Sequence, residues 1–414
     1  MNLNLWLKKF KTICKKKNLK LKPKIKNIFL VFTFHFFILS FGQTNTEYAA
    51  IDKKVALVPQ KATVSTEEIA QYINANFKTD QDKIRAIFFW TTSNISYDVK
   101  NMFATNANDS TKDRIDKTLK TKKGICSDYA AIFKELATLV GIESVVISGY
   151  TKQNGKIATL SHAWCGAKID DKWCVFDPTW GSGAVTNGVF VKKTDNYYFK
   201  TEPTKFIASH IPFDYLWQFL NYPITNSEFY EGNIQINKTK KYFDFEKEIA
   251  KLNSLSEIDK LFESAQRIEQ NGVKNVLISN ELKSVKEYII FLQQNEVIEK
   301  LNALVTDMNE AVVLMNEFIY YKNNKFKPTL SDEEITKMIQ KPLDKFIKCQ
   351  EEIYKIGSVG RENTANLSSI KKSIKNNLAA AEEQSLFVKN YLSKSKIVRK
   401  TMFSKVSWFG VPLN

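Results

Sequence analysis

The chain has 414 residues, 43% of them hydrophobic, and a formal net charge of +17. That length asks for two or three domains, and the apolar content excludes a wholly disordered chain. The charge does not mark a nucleic-acid binder: ten lysines, from Lys8 to Lys26, sit in residues 1–42 without one acid, removing them leaves +7, and the rest has no basic run interleaved with aromatics.

In chain order, the basic leader precedes the apolar run IFLVFTFHFFILSF (28–41) and the small residues Ser40 and Gly42. This reads as a secretory signal peptide, residues 1–42, cleaved between Gly42 and Gln43. The run is shorter than the roughly 18–20 residues that span a bilayer, and no other segment would span one. A periplasmic, cell-envelope or extracellular place is expected, with membrane attachment only if the leader persists as an anchor. Five cysteines are too few for a disulfide scaffold. Cys14 leaves with the leader, and Cys126, Cys165, Cys174 and Cys349 remain.

Residues 43–62 read as a polar linker. In STEEIAQYI, Ser65 and Glu68 have the spacing of a capping box ahead of Ile69, Tyr72 and Ile73. A second helix begins near Thr79 and Asp80, with Ile84, Ile87, Phe88 and Thr91 on its apolar face. The polar stretch 94–116 reads as a long surface loop. From Ser127 a helix carries Tyr129, Phe133, Leu136 and Val140 in one stripe, with Gly141 suited to a left-handed C-terminal position. SVVISGY reads as a strand, and HAWCGAKIDDKWCVFDPTW as a hairpin turning at Asp170–Asp171. Helices followed by antiparallel strands make an α+β domain, residues 63–235. Beyond it glycine becomes rare. Val297, Leu301, Leu304, Met308, Ala311, Met315 and Phe318 alternate spacings of four and three, the seam of a long packed helix. Ser331 is the expected cap of the next helix, Pro342 is expected to kink it, and another spans about 366–392. Residues 236–414 are therefore expected to be a helical bundle for packing or for a protein partner.

Chemistry concentrates at TKKGICSDYAAIF. Cys126 stands where a helix begins, and the positive end of a helix favours a thiolate. A nucleophilic thiol also needs a base and a group to orient it. If Asp170 and Asp171 form the turn, facing residues sum to 341, so Trp164 faces Asp177 and His162 lies on the same sheet face as Asp177. That makes His162 and Asp177 a base and orienter on diagonal positions. The same register sets Ala167, not Cys165, opposite Cys174, which is awkward for a disulfide; two core thiols on the face away from His162 fit better. The cysteines lack paired metal-ligand spacing, so no zinc and no cofactor are expected. Singly, each residue has a blander reading: a core thiol, a satisfied histidine, a turn-forming aspartate. On the residues alone both readings stand.

The blocks DKIRAIFFWTTSNISYD, GICSDYAAIF and SHAWCGAKIDDKWCVFDPTWGSG, with FIASHIPFDYLWQFLNYPI after them, resemble the transglutaminase-like superfamily, in particular its kyphoscoliosis-peptidase-like branch, over about residues 63–225. The resemblance implies a papain/transglutaminase-like core with Cys126 as nucleophile, His162 as general base, Asp177 as orienter, and Trp90 lining the site near the oxyanion. It implies an exported cysteine enzyme acting on amide bonds of a peptide or protein through a thioester, foremost a peptidase or amidase. A cross-linking transamidase is the first alternative, though the dense oxygen-ligand loop of a calcium site is missing from the sequence. A non-catalytic envelope binding or scaffold protein is the second.

Overall fold

The computed structural model describes residues 47–103 and 109–403, together with two short backbone strands, Ser407–Trp408 and Val411–Pro412. The leader and the Gly42–Gln43 junction lie outside the described residues. Clustering of contacts divides the chain between Phe245 and Glu246. Each unit is described by itself.

The first unit opens with helix α1 (Ala49–Val55), where a linker was expected. It is fixed because Arg85, 1% exposed, needs an anion. Asp52 supplies one through two charge-assisted bonds of 2.6 and 2.7 Å, and the guanidinium also lies over Tyr48 and Phe199, at 4.5 and 4.8 Å from the ring centres. Helix α2 (Thr66–Asn76) is capped by Ser65, which accepts from the Glu68 amide, and α3 (Asp80–Asn94) by Thr79. Ile84, Ile87, Phe88 and Thr91 of α3 are all buried, as the periodicity predicts.

The stretch 94–116 is not one loop. Strand β1 (Ser96–Tyr97) precedes helix α4 (Thr111–Thr121), whose first turn is closed reciprocally by Ser110 and Asp113. That S-x-x-D cap is the signal a polar reading overlooks. Strand β2 (Lys123–Gly124) pairs in parallel with β1 and delivers the chain to α5 (Cys126–Leu139). Tyr129, Phe133, Leu136 and Val140 are buried along one side of it, and Gly141 takes φ +85° just beyond its end.

Strands β3 (Ser144–Gln153), β4 (Lys156–Ile169), β5 (Lys172–Phe176) and β8 (His210–Pro212) form an antiparallel sheet in the order β5-β4-β3-β8. Between β5 and β8 lie a small hairpin, β6 (Gly183–Thr186) with β7 (Val189–Lys192), and a one-turn helix α6 (Pro203–Phe206). The β4–β5 register is the one the turn dictates, with Ile169 opposite Lys172 and Ala167 opposite Cys174. Asp170 and Asp171 both hold positive φ, 50° and 60°, as a two-residue hairpin of right-twisting strands requires.

Residues of α2, α3 and α5 pack on Ala163, Cys165, Ala167 and Ile169, which share one face of β4. The opposite face is covered by the chain after β7: the Phe219 ring stacks on Trp173 at 4.7 Å, and Phe206 packs on Trp164 at 6.0 Å. The unit is therefore α+β, with helices on an antiparallel sheet. Helix α7 (Asn226–Glu231) follows, and residues 236–245 stay with this unit, tied by Asn221 Nδ2 donating to Phe243 O at 3.0 Å and by the Tyr215–Phe243 ring contact.

Gly149 decides how closely β8 approaches β3. A Cβ there would meet Ile211 O at 2.2 Å and Trp164 Cη2 at 2.4 Å. Gly149→Ala is expected to destabilise the domain by about 2–3 kcal/mol, since backbone must move. Thermal unfolding measures this; an unchanged midpoint would refute it.

Apart from the paired strands Ser407–Trp408 and Val411–Pro412, the second unit is helical. Helix α8 (Phe245–Leu252) begins at the division, followed by α9 (Glu257–Gln270), α10 (Val276–Asn323), α11 (Asp332–Ile353), α12 (Thr364–Leu392) and α13 (Lys396–Thr401). The expected seam is used: Leu301 and Leu304 pack with Cys349 and Ile353, and Met315 and Phe318 with Ile335 and Ile339. Helices α10 and α11 therefore run antiparallel. Ser331 caps α11, which continues past a buried Pro342. Among the described residues no helix is long and apolar enough to cross a membrane.

Candidate active site

Cys126 is the first residue of α5, immediately after the β1–β2 ladder, in which Tyr97 pairs with Gly124. The Ile125 amide just before it is taken up by Asp128 Oδ2 at 2.9 Å, which closes the first turn. Gly124 fits because Asp128 Cβ lies 2.8 Å from where its own Cβ would stand. The thiol is partly buried and borders the same cavity as the His162 ring. Burial pushes the thiol pKa up, but the bond and charge of His162 and the Ala163 backbone more than offset it, and the net displacement is downward.

His162 lies on β4, its side chain 10% exposed, with Nε2 2.8 Å from Asp177 Oδ2. That bond leaves Nδ1 as the ring atom for the thiol. Burial disfavours the imidazolium, yet the Asp177 charge and bond, and then Cys126, carry its pKa well above the ordinary histidine value. Asp177 is completely buried just beyond the end of β5. Its Oδ1 accepts from the Thr179 and Trp180 amides at 2.8 and 3.0 Å. Its Oδ2 accepts from His162 and also from His210 Nε2 at 3.2 Å. Burial would raise its pKa; the histidines outweigh burial and hold it below the usual carboxylate range.

The structure thus brings Cys126 to the cavity that His162 borders, with His162 hydrogen-bonded to Asp177. Trp90 is not among the residues that line the two cavities at His162. Trp90 is 1% exposed within the helix-side core, its indole N–H has no acceptor among the described residues, and the Lys122 ammonium lies 5.2 Å from its ring centre. The aromatics that border the thiol and imidazole are Tyr97 and Trp180. All four described cysteines are free. Cys165 is a buried core thiol bonded to Ala130 O at 3.5 Å, and Cys174 is partly buried.

His210 is the residue that sequence reasoning leaves out. It stands 33 positions after Asp177 on β8, a strand that pairs with β3 and not with the hairpin. The hairpin register therefore says nothing of it. The available signal is that His162 and His210 are the only histidines after the leader. Potential ligand atoms of His162, Asp177 and His210 lie within 4.8 Å of one another, and their hydrogen bonds account for that spacing.

Two cavities flank the pair. One, of about 650 Å³, is walled by Met102, Val185, Phe190 and Val191. The other, of about 490 Å³, is bordered by Cys126, Gln153, Asn154, Lys156 and Ser161. Tyr97, Gln153, His162 and Trp180 border both.

Residues 67–178, which contain all three of these side chains, match the family model of the transglutaminase-like superfamily. Kyphoscoliosis peptidase of Mus musculus is 32% identical over 172 residues, covering 40% of this chain and 25% of that protein. The Homo sapiens form is 30% identical over 176 residues, 41% of this chain and 26% of that protein. Hillarin of Drosophila melanogaster is 27% identical over 205 residues, 44% and 24%. The chain spans about a quarter of the length of these relatives. By its α+β fold, its matched segment and these relatives, the chain carries a transglutaminase-like domain of the kyphoscoliosis-peptidase-like branch.

Proposed function

We propose that this domain is a cysteine enzyme that cleaves amide bonds of a peptide or protein through a thioester. The observation that carries this reading is a thiol, Cys126, that shares a cavity with the His162 ring, whose Nε2 lies 2.8 Å from Asp177 Oδ2. The Cys126 proton resides on His162, leaving thiolate and imidazolium. The thiolate attacks the carbonyl carbon, the amide C–N bond breaks, and His162 returns its proton to the departing amine. Amides at the start of α5 are placed to receive the developing oxyanion. Water, deprotonated by His162, then attacks the thioester and releases the acid, with the proton passing back to the thiol. The cavity that Cys126 borders, and the second one that shares Tyr97, Gln153, His162 and Trp180 with it, support a substrate that extends along the site from its scissile bond. The lysine-rich leader supports action outside the cytoplasm, and the helical unit is proposed to dock a protein partner.

The test is alkylation of Cys126 by iodoacetamide across pH. Reaction is expected to persist well below the range of an ordinary thiol, and His162→Ala is expected to abolish that acid-side reactivity. An ordinary single-thiol profile, unaltered by His162→Ala, would sink the proposal. Given a reactive thiol, a glutamine-containing peptide incubated with and without a primary amine separates the outcomes: acid alone means hydrolysis, an amine-bearing product means transfer.

A further inference from the structure

Asp177 Oδ2 receives two ring N–H groups, although the proposed chemistry uses only that of His162. The second donor is held with equal care. His210 is 1% exposed and wholly caged: Phe206 stacks on it at 4.1 Å, and Trp180 and Trp164 meet it edgewise at 4.4 and 5.2 Å. Its Nδ1 lies 2.8 Å from Ser209 Oγ. An ionised carboxylate only accepts, so the Asp177 contact places a hydrogen on Nε2, and the Ser209 hydroxyl can then donate to a bare Nδ1. The titratable groups that face the ring are Asp177 and His162, with the Tyr198 phenol ring at 6.2 Å; the other walls are Trp164, Trp180 and Phe206, which carry no charge. Burial and the neighbouring His162 charge keep His210 unprotonated at neutral pH, despite the pull of Asp177.

We propose that His210 is a positioning residue, a permanently neutral donor that pins Asp177 Oδ2 so that the carboxylate stays aligned with His162 Nε2. The geometry supplies the reason. The Thr179 and Trp180 amides hold only Oδ1. Without a second contact on Oδ2, the carboxylate can rotate about the bond that carries it, and the His162 hydrogen bond lengthens. A neutral donor fixes the oxygen without a second positive charge, which would compete with imidazolium for the same carboxylate. His210 on β8, with Ser209 just before it, thus conditions a thiol on α5.

This inference rests on the thiol reading above, and its test uses iodoacetamide alone, mapped to Cys126 by peptide analysis. In the native chain the thiolate–imidazolium pair gives a reactive window between an acid and a basic limb. His210→Phe fills the cage and removes the donor; the window is expected to narrow by about one pH unit and the neutral-pH rate to fall about tenfold. His210→Gln presents an amide donor near the Nε2 position and is expected to restore the window. Ser209→Ala removes the partner of Nδ1 and is expected to narrow it less than His210→Phe. Ring ¹⁵N spectra of the native protein are expected to show His210 neutral with hydrogen on Nε2 at pH 7. The proposal is overturned if His210→Phe keeps the native window, if Ser209→Ala and His210→Gln both match the native chain where the Phe variant does not fold, or if the spectra show Nδ1 protonated. A native chain with no window at all overturns the thiol reading itself, so the two failures are distinguishable.

Discussion

Cys126→Ala is expected to reduce amide cleavage by about 10⁵–10⁶-fold, to the level left by binding and the helix amides alone. The thiol is the only described cysteine whose pKa is displaced downward; Cys165, Cys174 and Cys349 are pushed up by burial. None of those three hydrogen-bonds a histidine, so none can substitute. Stability should move little, by about 1 kcal/mol or less, because Cys126 is partly exposed and its helix is closed by Asp128, not by the thiol. Activity and thermal unfolding of the same preparation check both halves. A variant that retains more than a hundredth of native turnover would show that the nucleophile lies elsewhere.

Asp177→Asn is expected to cost about 10⁴-fold in turnover. The new amide can still accept at Oδ1 from Thr179 and Trp180, but it turns an NH₂ toward two ring N–H groups. His162 must then carry its hydrogen on Nδ1, facing the thiol, where it cannot take the Cys126 proton. His210 adapts more easily, because the Ser209 hydroxyl can turn and accept. Asp177→Ala differs: it leaves four donors without an acceptor in a completely buried place and is expected to destabilise the domain by about 3–5 kcal/mol. A large activity loss in the Asn variant with a smaller stability loss than in the Ala variant is the expected pattern; the reverse order would mean that Asp177 serves only folding.

On the acid side the pH dependence of native stability has a definite sign at this cluster. Asp177 binds fewer protons in the fold than in the unfolded chain below about pH 4, so its stabilisation is present above that range and lost as pH falls through the folded value. His210, pushed down to about 4 mainly by burial, is bare in the fold where the unfolded chain takes a proton, between about pH 6.5 and 4. Stability therefore falls as pH drops across that window as well. Chemical denaturation at stepped pH should show an acid limb starting near pH 6.5, and the Asn variant should lack the part below about 4.

Much of this site is legible in the sequence because its parts are local. Hairpin register follows from where the turn falls, and two adjacent aspartates that accept positive φ fix Ile169 opposite Lys172. From that register, His162 and Asp177 must share a face. The position of Cys126 follows from helical periodicity after Gly124, and the α10 seam from its alternation of four and three. Tertiary structure alone decided the rest. Arg85 recruits Asp52 and turns an expected linker into a packed helix, because a buried guanidinium must find an anion wherever the chain can offer one. Trp90 belongs to the core, since indole placement is set by the packing of three helices and not by its neighbours in sequence. His210 reaches Asp177 only because β8 lies beside β3, at a separation Gly149 keeps short. Periodicity and turn chemistry reach a few residues along the chain; which distant strand closes the sheet depends on shape complementarity that no local pattern encodes.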